Sequence, residues 1–301
     1  MLASVSVDLD SLACYAAIFG LERAPLDDRA RRAIPALALE RFGELFESLG
    51  LKGTFFAVGR DYESDAAAVG ALQAAARAGH EIASHSFSHD YALARRPPAE
   101  IADDLARAKA LLERTVGAAF RGGFRAPGYT LTPALLEALV ATGHAYDSSL
   151  LASPAYYLAK AAAVTGMRLA GRVSRSILGP PAQLFASPRP HRRGGLPELP
   201  IAVVPGVRLP FYGTLVVSAP EALSAALART LRGPHLNFEL HGIDLVDESD
   251  GIPKALAAAQ RDARIPVRVK RARLSAVLRA LAERAEFVTL ADAAERLVPA
   301  A

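Results

Sequence analysis

GTFFAVGRDYESDAAAVGALQAAARAGHEIASHSFSH, residues 53–89, is the stretch on which the fold turns. Gly53 to Val58 is a short apolar run rich in aromatic and branched side chains, the composition of a buried strand. Residues 62–78 carry helical periodicity and stop at Gly79. Glu81 to Ser84 is a second short strand. A strand, a helix of this length and a strand make a right-handed βαβ unit, so the two strands are expected to be parallel. The same rhythm extends in both directions. Leu2 to Val7 is a β-prone run that ends in acids, and Pro35 to Leu49 has a proline in its first turn and Gly50 just past its end, a helix pattern. Pro98 to Val116 is helical, acids first and bases later, as the helix dipole favours. Strands are expected at Phe124 to Pro127, Ala145 to Leu150, Glu198 to Ile201, His235 to Leu240 and Phe287 to Leu290. Helices are expected at 132–142 and Arg271 to Arg284, and after Leu290. Alternation of this kind is the signature of an α/β protein with a mainly parallel sheet. Seven or more strands in one chain point to an irregular (β/α)7-type barrel, a distorted TIM-like fold, occupying residues 1–301 as one domain.

Composition excludes several classes. The chain has 301 residues, 51% hydrophobic and 22% charged, with a single cysteine and a formal net charge of +4. That is a globular protein with a large core, not a disordered, collagenous or disulfide-stapled one. The charge is too small to argue for nucleic acid. Cys14 has no partner for an internal bridge, which suits a reducing compartment. The first residues, MLASVSVDLD, lack the basic and apolar regions of a signal peptide, so the expected location is the cytoplasm. Between Asp147 and Glu198 the chain has no acid, whereas Lys160, Arg168, Arg172, Arg175, Arg189, Arg192 and Arg193 are basic. This excursion, about 148–197, has two readings: a solvated segment that caps the barrel or meets a second subunit in a homo-oligomer, or peripheral contact with an anionic membrane surface.

Five short motifs carry chemistry. In Val7-Asp8-Leu9-Asp10 the two carboxylates are two positions apart, so on a strand both face one space. At the carboxyl end of a barrel strand that space is where active sites lie. Close carboxylates need a metal or an arginine to stay ionised. His85 and His89, four apart directly after a strand, place two imidazoles on one face of a helical turn, within reach of one ion. Arg125, in Phe124-Arg-Ala-Pro-Gly-Tyr129, stands at a strand end where it can hold Asp8, and the turn at Pro127, Gly128 and Tyr129 lets substrate approach the backbone. Asp147, in Tyr146-Asp-Ser-Ser149, can pair with an imidazole. His241, closing Phe238-Glu-Leu-His241, is placed to act as an acid across the barrel mouth. His80 reads as structural, and His144, His191 and His235 lie in no motif.

In this order the motifs resemble those of the polysaccharide deacetylase (NodB-homology) superfamily, including carbohydrate esterase family four, over Val5 to His241. Thr54 to Gly59 and Gly79 to His85 add to the likeness. The resemblance implies the irregular NodB barrel and a divalent metal, Zn²⁺ first, on Asp10, His85 and His89. It implies Asp8 as general base for the hydrolytic water and His241 as the acid that protonates the leaving amine. Arg125 would orient Asp8, and Asp147 would tune His241. Two departures stand out: Leu9 separates aspartates that are usually adjacent, and the chain has no tryptophan. Aromatic platforms for a sugar then fall to Tyr129, Phe211, Tyr212, Tyr156 or Tyr157. The implied activity is removal of an N-acyl group, acetyl first, from an amino sugar, lipid- or nucleotide-linked. Competing readings are a deformylase or cyclic-amide hydrolase on the same scaffold, and a binding protein without turnover.

Overall fold

A computed structural model describes residues 1–22 and 26–299. Its centre is a nine-stranded sheet of β1 (Leu2–Asp8), β2 (Thr54–Ala57), β3 (Glu81–Ser84), β4 (Phe120–Phe124), β5 (Tyr146–Asp147), β6 (His191–Arg193), β7 (Leu196–Glu198), β8 (His235–His241) and β9 (Glu286–Phe287). β8, β1, β2, β3, β4, β5 and β7 are neighbours in that order and run parallel. The chain leaving β7 then bridges to β8 at Ile201 and Asn237, and the Ala202 N–H donates to the Asn237 carbonyl at 2.9 Å. That bridge closes the sheet into the expected barrel. The short β6 is antiparallel to β7, and β9 pairs with the start of β1.

Strand alternation divides polar interior from apolar exterior. On β1, Ala3, Val5 and Val7 belong to the main hydrophobic cluster with Phe42, Phe46 and Leu274 of the outer helices. Ser4, Ser6 and Asp8 take the opposite face, and all three are buried. β8 repeats the pattern, with Leu236, Phe238 and Leu240 in that cluster and His235, Asn237 and Glu239 among the buried polar side chains. The register sets Ser6 beside Glu239 and Asp8 beside His241. The interior polar groups satisfy one another: Ser6 Oγ donates to Asn237 Oδ1 at 2.8 Å, and Ser4 Oγ lies 2.9 Å from His235 Nε2.

Several element boundaries differ from expectation. The helix assigned to Pro35–Leu49 begins earlier, at Asp28, where Asp27 caps the Ala30 N–H at 2.7 Å. It then widens into a π-helical stretch at Ala33–Ala38 before continuing as Leu39–Ser48. Pro35 supplies the reason, since it cannot donate to the preceding turn and a π-bulge absorbs the missing bond. The strand expected at Phe124–Pro127 lies instead at Phe120–Phe124. Gly122 and Gly123 disguise it, yet Gly123 is required, because a Cβ there would come within 2.3 Å of the Tyr146 side chain. The late helix spans Val267–Ala282, starting directly after Pro266. No helix among the described residues is long and apolar enough to cross a membrane.

The acid-free excursion folds over the carboxyl end of the barrel. Ser153 caps its helix, Pro154–Leu169, and Lys160 Nζ donates to the Gly128 carbonyl at 3.1 Å. Farther along, Arg175 N–H bonds to the Ala17 carbonyl at 3.2 Å, and Gln183 Nε2 bonds to the Tyr129 carbonyl at 3.2 Å.

Candidate active site

Asp8 closes β1, and Asp10 follows it by two residues. His85 follows β3, and its N–H still bonds to the Ala57 carbonyl at 2.9 Å. The segment that carries both histidines is a loop, not the expected helical turn. Ser86 and His89 are left-handed, with φ of 65° and 49°, a conformation that residues other than glycine adopt at a cost and that recurs at functional sites. Asp104, from the helix Pro98–Val116, clamps the loop by accepting from the Phe87 N–H at 2.7 Å and the Ser88 N–H at 3.0 Å. The result brings His85 Nε2 and His89 Nε2 each to 3.0 Å from Asp10 Oδ1.

This triad fits a metal on its own geometry. Asp10 Oδ1 and both ring nitrogens of His89 are buried without a hydrogen-bond partner, and such orphans are uncommon unless something else satisfies them. His85 Nδ1 donates to the Arg125 carbonyl at 2.7 Å, which fixes the tautomer and leaves the Nε2 lone pair free to coordinate. Burial opposes charge on Asp10, but the two imidazoles outweigh it and hold the carboxyl well below its ordinary range. One carboxylate and two imidazoles are a donor set for zinc and other transition ions.

Asp8 lies beside the triad, its Oδ2 3.8 Å from His85 Nε2. Arg125 is fully buried and pinned on four sides. Its Nη1 donates to Asp8 Oδ1 at 2.5 Å, Nη2 to Ser6 Oγ at 3.0 Å and Ser148 Oγ at 2.9 Å, and Nε to the Ser148 carbonyl at 2.8 Å. The guanidinium stacks over the Phe56 ring at 4.1 Å. An arginine held this way fixes one carboxylate oxygen of Asp8 and leaves the other facing the histidines. On the far side of Asp8, ligand atoms of Glu239 and His241 fall within 4.8 Å of it and of one another. A narrow pocket of about 80 Å³ joins these groups, lined by Asp8, Asp10, His85, Tyr91, Gly128, Tyr129, Tyr156, Lys160, Ser176 and His241.

With these groups around one pocket, the comparisons with known proteins agree. Residues 33–146, which include His85, His89 and Arg125, match the family model described as polysaccharide deacetylase. Over that part of the chain the sequence is similar to the polysaccharide deacetylases. A stretch of 152 residues is 28% identical to a peptidoglycan deacetylase of Helicobacter pylori (strain ATCC 700392 / 26695) and covers half of each chain. A Mycobacterium smegmatis structure assigned to the polysaccharide deacetylases superposes with a TM-score of 0.60 at 18% identity, over 98% of this chain and 89% of that one. The Xyl-CE4 domain of a multidomain xylanase from the hindgut metagenome of Trinervitermes trinervoides gives 0.51 at 12% identity, over 100% and 93%. At these identities the two structures speak for the fold alone, the distorted deacetylase barrel.

Within this deacetylase fold, Asp147 does not stand where the sequence reading put it. Its carboxylate accepts from Ser149 Oγ at 2.5 Å and shares a register position with Glu198, so its charge is spent on the wall of the barrel. Burial raises the Asp147 carboxyl, and burial with the Asp147 charge raises Glu198 well above its usual range. The carboxylate beside His241 is Glu239, at 3.8 Å. Tyr129 donates to Glu239 Oε1, and its hydroxyl is 3.1 Å from His241 Nε2. Desolvation works against a charged His241, yet Glu239 first and then Asp8 and Asp10 raise its pKa to about 9. Burial raises Glu239 to about 8, against the pull of His241. The two act on one another: the His241 charge pulls Glu239 down, and the Glu239 charge pushes His241 up.

Other expectations are sorted by position. Tyr129 and Tyr156 line the pocket with rings 5.6 Å apart, and Gly128 lines it beside Lys160. Pro127 is buried in the turn behind them. Phe211 packs on Phe238 at 5.3 Å inside the core and offers no platform. His80 accepts from the Gly53 N–H at 3.1 Å, the structural place expected of it. Tyr91, which no sequence motif marks, presents a buried hydroxyl with no partner and packs edge to face with His89, the ring centres 4.9 Å apart. Lys160 reads in the sequence only as a charge, and burial lowers its pKa to about 8. Glu239 had a legible signal, since His235, Asn237, Glu239 and His241 alternate along one strand and must share a face.

Proposed function

We propose that this chain is a metal-dependent hydrolase that removes a small N-acyl group, acetyl first, from an amino sugar carried on a lipid or nucleotide. The observation that carries the reading is the convergence of the buried, unpartnered Asp10 Oδ1 and His89 Nε2 with His85, beside a pocket lined by Asp8 and His241. The family's activity on acetylated sugars and the metal triad support it together. The pocket of about 80 Å³ has room for a formyl or acetyl group and leaves the sugar outside, near Tyr91 and Tyr156. A reducing, cytosolic setting suits the single buried thiol of Cys14.

Asp10, His85 and His89 would hold the ion, zinc first. When bound, it supplies a Lewis acid for the amide carbonyl and lowers the pKa of the attacking water. Asp8 takes the water's proton on the oxygen that Arg125 leaves free. His241 begins the cycle protonated and gives its proton to the departing nitrogen, so the products are a carboxylate and a free amine. The proton taken by Asp8 restores charge balance once it reaches His241 or solvent. Tyr129 and Glu239 keep His241 charged and oriented, because the tyrosine hydroxyl bridges the two.

Glu239→Gln is expected to shift the alkaline limb of the kcat–pH profile. An active acid must be protonated, and the limb reports its loss near a pKa of about 9. Removing the carboxylate that raises His241 most should bring the limb down by about one to three pH units. An alkaline limb unmoved in Glu239→Gln would take His241 out of the control of this residue.

The function itself is tested by elemental analysis of purified protein alongside acid release from N-acetyl amino sugars, N-formyl amino sugars and cyclic ureides. Acetate release that follows bound zinc supports the reading. Turnover of formamides or ureides alone moves the chain to the deformylase or cyclic-amide reading. Metal-replete protein inert across the panel makes it a binding protein.

A further inference from the structure

The excursion that folds over the carboxyl end of the barrel leaves several large apolar side chains in solvent. Leu158, Leu169, Val173 and Phe185 are exposed by 70%, 86%, 77% and 75%. Each sits on the excursion that shapes the site. Leu158 and Leu169 share the face of the helix Pro154–Leu169 opposite the pocket-lining Tyr156 and Lys160, and Val173 and Phe185 follow in the chain after it. A neighbouring turn adds exposed Val207 and Leu209, tied in by Arg208 Nη1 bonding to the Ala186 carbonyl at 3.2 Å. Scattered exposed apolar residues are ordinary on a protein surface, but a set gathered on one segment marks an interaction face.

The charge of that segment chooses the partner. It contains no acid from 148 to 197, and Arg168, Arg172 and Arg189 have exposed side chains with no ion pair among the described residues. Arg175 is engaged, with Glu22 at 3.2 Å. Exposed apolar side chains set among unpaired arginines match an anionic bilayer, whose headgroups take the cations and whose acyl boundary takes the apolar groups. A second copy of the chain would bring the same positive face against itself.

We propose that residues 154–189, with the turn at Val207–Leu209, form a docking surface for an anionic lipid bilayer. This rests on the hydrolase reading and narrows its substrate class to an amino sugar on a lipid carrier.

The test is flotation of the full chain with vesicles of phosphatidylcholine alone or mixed with phosphatidylglycerol. Binding should require the anionic lipid and fall as salt rises, by roughly fivefold for each arginine whose attraction to the headgroups is screened. The double variant Val173→Glu, Phe185→Glu should weaken binding at least about tenfold, with hydrolysis of a soluble N-acetyl amino sugar unchanged. Equal binding to both vesicle types, or binding to neither, overturns the proposal. So does a dimer in solution that the double variant dissolves, which would make the patch an interface between copies. The flotation result does not depend on turnover, so failure of the docking surface and failure of the hydrolase reading are separately visible.

Discussion

Asp8→Asn is expected to cut kcat by about 10²–10⁴-fold, the usual cost of losing a general base, while bound metal stays nearly unchanged. The amide is close in size to the carboxylate, and its oxygen can still accept from Arg125 Nη1, now 2.5 Å from Asp8 Oδ1. What disappears is the basic oxygen facing His85. The metal triad contains no atom of Asp8, so metal content is the control. Measurement pairs kcat with metal per chain for the wild type and variant. If Asp8→Asn strips the metal while Asp10→Asn keeps it, the roles of base and ligand are exchanged between the two aspartates.

The complementary result is expected at the triad. His89→Ala and Asp10→Ala should each release the metal and bring turnover to background, because one imidazole or one carboxylate is a third of the protein's ligands. Equilibrium dialysis with zinc, read by elemental analysis, gives the affinity without any assay of activity. Second-sphere groups around metal sites typically change affinity by about 10–100-fold when removed, and loss of a direct ligand should exceed that. Zinc binding at wild-type strength in both variants would remove the ion from this site. Arg125 belongs to the outer sphere, through its carbonyl on His85 Nδ1. That bond comes from the backbone, so no side-chain substitution deletes it.

Much of the fold was legible because its signals are local. The span from Gly53 to Ser84 carries strand, helix and strand in composition and periodicity alone, and Thr54–Ala57, Ala66–Arg77 and Glu81–Ser84 follow. Boundaries blur where local rules conflict. Gly122 and Gly123 look like a turn, and only the ring of Tyr146 packed against Gly123 explains a strand there. Spacing of four suggested a helical turn for His85 and His89, but Asp104, far along another helix, holds the loop in another shape. The same two imidazoles still reach one point.

The candidate site divides in the same way. Sequence by itself determined the kinds of ligand and their places at strand ends: Asp8 and Asp10 after the first strand, His85 and His89 after the third, His241 at the end of a late one. Those are consequences of alternation and chain order. Only the folded sheet decided that Asp147 is not the carboxylate beside His241. The motifs marked Asp147 and passed over Glu239, yet the β4–β5–β7 side turns Asp147 toward Glu198, while alternation on β8 places Glu239 beside the histidine. Coulomb interaction depends on separation in space and on burial, and for Asp147 both are set only when the sheet brings Glu198, from a distant part of the chain, beside it.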